Sequence, residues 1–140
     1  MSNNNNSSQN LCEWYFTTKF EVPTLPQECP QRFAILTAYN PFNQLLTEAE
    51  NIARNKVLLN KLQQSYTWIY EINGFDEETQ HKENGFMFNE ESFNKACDLG
   101  EEFSQDAIYY VIDNILFVSK CAKTKRQLVE VGCFTNRIIV

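Results

Sequence analysis

Between residues 33 and 112, short apolar runs and amphipathic stretches alternate in a single order, and that order restricts the fold more than any other feature. "RFAILTAY" (32–39) is nearly continuous apolar sequence, the pattern of a strand covered on both faces. Thr47-Glu48-Ala49-Glu50 then forms a capping box, in which Thr47 accepts from the amide at Glu50 and Glu50 reaches back. It predicts a helix from there to about Gln64. "YTWIYEI" (66–72) predicts a second strand, closed by Asn73-Gly74. A polar loop, "NGFDEETQHKENG", leads to a short strand "FMF" (86–88). Asn89 is placed to cap a second helix, with Glu90 and Glu91 in its first turn and Phe93, Ala96, Cys97, Gly100 and Phe103 along its apolar face. "AIYYVI" and "ILFVSK" flank Asp113-Asn114, a tight hairpin turn.

The resulting order is β-α-β-β-α-β, which predicts an α+β fold with a ferredoxin-like core, two helices on one face of a mostly antiparallel sheet. "EWYFTTKFEV" (13–22) adds an N-terminal strand, ended by Pro23, and the three prolines of "PTLPQECPQ" forbid regular structure after it. A C-terminal hairpin, with a weaker strand over Leu128 to Cys133 and another near the end, extends the sheet.

At 140 residues the chain is long enough for one unaided core. Residues 1–11 read as a disordered polar tail and 12–140 as one domain. "MSNNNNSSQN" has neither the basic region nor the apolar stretch of a secretory leader, and no apolar run is long enough to span a bilayer. The five cysteines are odd in number, widely spaced and never in a Cys-x-x-Cys pair. They argue for a reducing, cytoplasmic setting and against a disulfide framework or a structural zinc site.

The net charge of −6 speaks against nucleic acid as a partner, because phosphates are repelled. From Glu71 to Asp106 eleven acids face only Lys82 and Lys95, whereas Lys120 to Val140 carries five basic residues against Glu130. Such a dipolar layout can orient a protein partner.

Thr37-Ala38-Tyr39-Asn40-Pro41, Glu50-Asn51 with Asn55, Glu83-Asn84-Gly85-Phe86 and Phe103-Ser104-Gln105-Asp106-Ala107 together resemble the bacterial domain-of-unknown-function family 3293. The resemblance covers roughly residues 33 to 112. It implies a small bacterial domain and carries no activity with it.

Candidate chemistry centres on the strand-to-helix loop, where free amides point outward and ligands bind in β-α units. Thr37 and Asn40 line it. On a helical wheel Ala49, Ile52, Ala53 and Leu59 share the expected core face, with Asn51, Asn55, Leu58 and Leu62 on a face beside it. Half-buried amides at Asn51 and Asn55 need partners, since leaving one unmet costs about 1–3 kcal/mol. Those partners are either the Thr37–Asn40 backbone or a ligand with donors and acceptors. Glu83 joins the candidate set if its loop folds over the asparagines, as a ligand acceptor or a general base. Asp76, Glu78, His81 and Glu83 match no known metal loop, and a lone His leaves little basis for nucleophilic catalysis. No cofactor motif is present.

Two functions of different class follow. In the first the domain binds a small polar metabolite or nucleotide at Thr37, Asn40, Asn51, Asn55 and Glu83 without catalysis. In the second it is a protein-interaction module, an inhibitor or regulatory subunit, acting through its acidic surface or a sheet edge. An enzyme ranks third. A cavity lined by Asn40, Asn51 and Asn55 favours the first, and internal satisfaction of Asn55 the second.

Overall fold

The computed structural model describes residues 11–139, so residues 1–10 of the expected tail over 1–11, and Val140, lie outside the described residues. The fold is α+β: β1 (Lys19–Glu21), β2 (Arg32–Leu36), α1 (Glu48–Gln63), β3 (Ile69–Phe75), β4 (Lys82–Phe88), α2 (Phe93–Glu102), β5 (Ala107–Ile112), β6 (Ile115–Lys120), β7 (Val129–Cys133) and β8 (Ile138–Ile139). The strands form one sheet in the order β7-β6-β5-β2-β4-β3-β1-β8. Every pairing is antiparallel except β1 with β8, which is parallel. Among the described residues no helix is long and apolar enough to cross a membrane.

The sheet curls. Phe20 on β1 and Tyr109 on β5 have ring centroids 5.2 Å apart, although three strands lie between them. In a flat sheet that offset is roughly 19 Å, at about 4.8 Å per strand. Alternation sorts the side chains into two cores. Phe33, Ile35, Met87, Tyr109, Val111, Leu116 and Val118 point inside the curl with Phe20 and Phe134. Leu36, Phe88, Ile108 and Tyr110 point outward under Leu58 and Leu62 of α1 and Ala96 and Cys97 of α2, so both helices cover one face. Leu11 is also buried in the inner core. Gly100 lets α2 approach the sheet, since a Cβ there would sit 2.4 Å from Cys121 Sγ.

Several local expectations are corrected. The strand predicted over 13–22 is a 3-10 turn at Glu13–Phe16 followed by the three-residue β1. There the Trp14 carbonyl accepts from both the amide and the hydroxyl of Thr18, at 3.0 and 2.7 Å, and the turn drives Tyr15 into the inner core. The polar loop over 73–85 shortens to 76–81, because main-chain pairing of β3 with β4 continues through Gly74↔Glu83 and Phe75↔Lys82. Polar side chains can continue an antiparallel ladder whose backbone is fully paired. Helix α2 is capped by Ser92, which accepts from Lys95 N, rather than by Asn89. Glu90 instead accepts from Ser92 N at 2.9 Å and from the Tyr66 hydroxyl. The hairpin turn is as the residues suggest, with positive φ at both Asp113 and Asn114.

The largest correction concerns α1. Its buried residues are Asn51, Asn55, Leu58 and Leu62, one stripe at helical spacing, while Ile52 is 43% exposed and Ala49, Ala53 lie outside. The helix therefore turns its asparagines inward with its leucines. Leu62→Ala should cost about 2–5 kcal/mol in a urea titration, and Ile52→Ser should stay within about 0.5 kcal/mol of wild type.

Candidate functional site

Strand β2 ends at Leu36, and the chain must then leave the sheet with its amides still buried. Ala38, Tyr39 and Asn40 are all at most 5% exposed, so each backbone group needs a partner. Helix α1 supplies those of Ala38 and the Asn40 amide: Ala38 N donates to Asn55 Oδ1 at 3.3 Å and Asn40 N to Asn51 Oδ1 at 2.8 Å. Asn51 Nδ2 donates in turn to Asn40 Oδ1 at 2.9 Å, which also accepts from Leu46 N at 3.0 Å. Arg54 Nε donates to Ala38 O at 2.7 Å, and its Nη2 reaches Phe103 O at 2.6 Å. Gln105 Nε2 donates to Tyr39 O at 3.0 Å. Thr37 Oγ1 donates to Asn84 O at 2.5 Å and accepts from Tyr39 N at 3.0 Å.

The segment so held is strained beyond Asn40. Asn40, Phe42 and Asn43 have φ of 48°, 49° and 64°, a left-handed conformation that costs about 1–3 kcal/mol for such residues and persists only when surroundings enforce it. Phe42 N donates to Ser104 O at 2.7 Å, and Phe42 and Leu45 are left 64% and 82% exposed.

One further bond leads out of this scaffold. Asn40 Nδ2 donates to Glu83 Oε2 at 2.9 Å, and the same oxygen lies 3.0 Å from His81 Nε2. Glu83 stands opposite Gly74 in the β3–β4 ladder, and its side chain is only 12% exposed. Both of these bonds fall on Oε2; Oε1 is not a buried unmet atom, the one such side-chain atom among the described residues being Asn73 Oδ1. Glu83 and Trp14 line two adjacent spaces. One is an inner cavity of about 40 Å³ at the end of the curl, reached by Thr37, Gly74, Gln105, Tyr15 and Tyr109. The other is an outer cleft of about 280 Å³ that also touches Cys12, Asn40, Leu45, Asp76 and His81.

The chemistry of the inner cavity is that of neutral hydroxyls beside a carboxylate. Burial pushes the Tyr15 hydroxyl well above its ordinary range, with Tyr109, Asp106, Cys12 and Glu83 adding to it. Burial likewise raises Tyr109, against the pull of Thr18 and Arg137. Tyr109 donates to Tyr15 O at 2.8 Å. Burial, then the bond to Glu48, pushes Tyr39 up to about 12. No group of three or more His, Cys, Asp or Glu able to hold a metal ion occurs among the described residues.

The five residues singled out in the sequence thus separate by role. Thr37, Asn40 and Glu83 border the cavity or cleft. Asn51 spends both side-chain atoms on Asn40 and is a strut. Asn55 braces Ala38 and borders a different groove, with Tyr39, Leu59 and Phe86; it is thus satisfied internally, and no cavity among the described residues is lined by Asn40, Asn51 and Asn55 together, the outcome expected of an interaction module rather than of a ligand site on the asparagines. Trp14, Gln105 and His81 were not among them. In the sequence His81 suggests only a loop ligand or an unpaired catalytic base, Trp14 reads as a strand residue, and Gln105 carries no chemical signature until α2 and β5 bring it to Tyr39.

The model of a family described as a protein of unknown function (DUF3293) matches residues 36–108, just over half of the chain. This chain is a DUF3293 protein. No curated protein and no solved structure matches it. The matched region of this DUF3293 protein contains Thr37, Asn40, Asn51, Asn55, Glu83 and Gln105, and Trp14 comes from outside it.

Asn51→Ala should cost about 1–3 kcal/mol in chemical denaturation, because it strands the buried Asn40 amide. Stability should also decline in strong alkali. An unfolded tyrosine ionises near pH 10, whereas Tyr39 holds its proton to about pH 12. The folded chain then binds more protons, so the stabilisation present below pH 10 is lost as pH rises toward 12. Urea titrations from pH 8 to 11.5, with tyrosinate absorbance, would follow it.

Proposed function

We propose that this DUF3293 protein binds a small polar metabolite, without catalysis, at the mouth of its curled sheet. The observation that carries the reading is Glu83: a largely buried carboxylate, held at one oxygen by Asn40 and His81, that lines both an inner cavity and an outer cleft. A mostly apolar pocket with a few convergent polar groups is the usual form of a ligand site. The loop Thr37–Asn40 and the helix face Asn51/Asn55 serve this site as its frame, which moves the contact surface from the asparagines of α1 to Asn40, Thr37, Gln105 and Glu83. The acids bordering the cleft, Asp76 and Glu83, repel phosphates and so favour a metabolite over a nucleotide.

The strand order β5-β2-β4-β3, all antiparallel, with helices after the first and third of these strands in chain order, supports reading the centre of the sheet as a ferredoxin-like unit. Five free cysteines support a reducing compartment such as a bacterial cytoplasm.

A second reading, a protein-interaction module, is favoured by the exposed Phe42 and Leu45 on their strained loop. The charged alternative is weaker, since Lys120 pairs with Asp106 at 2.9 Å and Arg126 with Asp98 at 2.7 Å.

The test is a two-dimensional NMR titration with a library of small metabolites, on wild type and on Gly74→Val. A Cβ at Gly74 has ordinary contacts, 3.6 Å from Thr18 Cγ2, and Gly74 lines the inner cavity, so a valine there is expected to take up cavity space. Binding predicts shifts at Trp14, Thr37, Glu83 and Gln105 that Gly74→Val loses while staying folded. Shifts confined to Phe42 and Leu45 on adding a protein partner, with none at Glu83 from any compound, would replace this reading by the second.

A further inference from the structure

We propose that the head group taken beside Glu83 is a small organic ammonium ion, a primary or secondary amine in its protonated form. The inference rests on the reading of this site as a ligand site and specifies its ligand class.

Three features point to a cation, and a fourth bounds the size of its head group. The first is the carboxylate itself: Glu83 is only 12% exposed, and its bonds with Asn40 and His81 fall on Oε2, which leaves Oε1 as the oxygen that a charged donor can meet. The second is the wall. Trp14, Tyr15, Phe20 and Tyr109 all border the inner cavity, Trp14 stacked on Tyr15 at 5.0 Å and Tyr15 edge-on to Tyr109 at 5.8 Å. A carboxylate set among aromatic rings is the environment that attracts ammonium groups, through charge pairing and the negative ring faces together.

The third feature is what borders neither space. No Lys or Arg lines the inner cavity or the outer cleft, and His81, already bonded to Glu83 Oε2, is the one basic side chain there. An anionic head group would meet Glu83 with nothing to balance it. Beside the cleft a larger space of about 720 Å³, sharing Trp14 and Asp76, carries Glu13, Glu77 and Glu78. Its two basic residues are Lys19 and Arg137, and the Arg137 guanidinium is committed to the carbonyls of Thr18, Phe16 and Val131. The approach is thus lined mainly by acids, which concentrates cations at the mouth.

The fourth is size. At roughly 10–15 Å³ for each water-sized occupant, a cavity of about 40 Å³ holds a head of about three or four heavy atoms. The remainder of the ligand extends into the outer cleft, past Trp14 toward Leu45. Thr37 and Gln105 add uncharged polar side chains to the cavity wall, and the tyrosine hydroxyls, kept neutral, add no competing charge.

The experiment compares three probes of one chain length, n-butylamine, n-butanol and n-butyrate, by NMR titration at neutral pH on wild type, Glu83→Gln and Gly74→Val. Glu83→Gln keeps an oxygen for Asn40 Nδ2 and removes the charge. The amine should shift the signals of Trp14, Gly74 and Glu83 and bind at least ten-fold more tightly than the alcohol, with butyrate weakest. Glu83→Gln should weaken the amine ten-fold or more and change the alcohol less than two-fold, and Gly74→Val should abolish both. If butanol or butyrate binds at these residues as tightly as the amine, or if Glu83→Gln leaves the amine unchanged, the ammonium assignment is overturned while the site stands. If neither these probes nor any library compound moves the signals of Trp14, Gly74 and Glu83, the ligand-site reading itself falls.

Discussion

The architecture turns on two buried amides. When β2 leaves the sheet after Leu36, the N–H groups of Ala38 and Asn40 have no strand to pair with and no water to meet. An unmet buried amide costs about 1–3 kcal/mol, so the chain has to bring acceptors to them. It does so with Asn55 and Asn51, one helical turn apart on α1. That requirement sets the rotation of the helix about its axis: once the two asparagines face β2, Leu58 and Leu62 are carried inward with them and Ile52 outward. Helix packing here follows from hydrogen-bond satisfaction as much as from apolar burial.

The same bonds explain how strain can persist at the edge of the site. Asn40 is fastened through its backbone amide, its carbonyl and both side-chain atoms, the carbonyl accepting from Asn43 N at 2.8 Å. Pinning at one end, and the Phe42–Ser104 bond in the middle, force the next residues through left-handed geometry. The outcome is a rigid rim. It presents the amide of Asn40 to Glu83 and holds the carboxylate over the cavity, so the frame and the proposed contact residue are joined by a single bond.

How much of this is legible in the sequence depends on whether the signal is local. The Thr47–Glu50 capping box and the Asp113-Asn114 turn each depend on a few adjacent residues, and the structure has both. The inward face of α1 is not legible from hydropathy, because Asn51 and Asn55 count as polar whether they meet water or a buried amide. Residues 73–75 and 82–85 look like loop because Asn73-Gly74 and Lys82-Glu83-Asn84-Gly85 are turn-forming or polar, yet their backbones pair across the hairpin, and hydropathy does not report backbone pairing. Within the candidate site, Asn40 and Glu83 are 43 residues apart, and only the fold shows that they touch. Trp14 and Gln105 reach the same cavity from a 3-10 turn and from the joint between α2 and β5, positions whose convergence requires the full topology of the sheet.

Native-state amide hydrogen exchange tests the central claim most directly, because it reads the two amides one at a time. The account predicts that in wild type both Ala38 and Asn40 are protected. Asn55→Ala should selectively release Ala38, and Asn51→Ala should selectively release Asn40, while core strand amides such as Ile35 stay slow in both variants. Exchange of Ala38 and Asn40 in wild type at the rate of open loop amides would contradict the account. So would equal protection of both amides after the asparagines are removed.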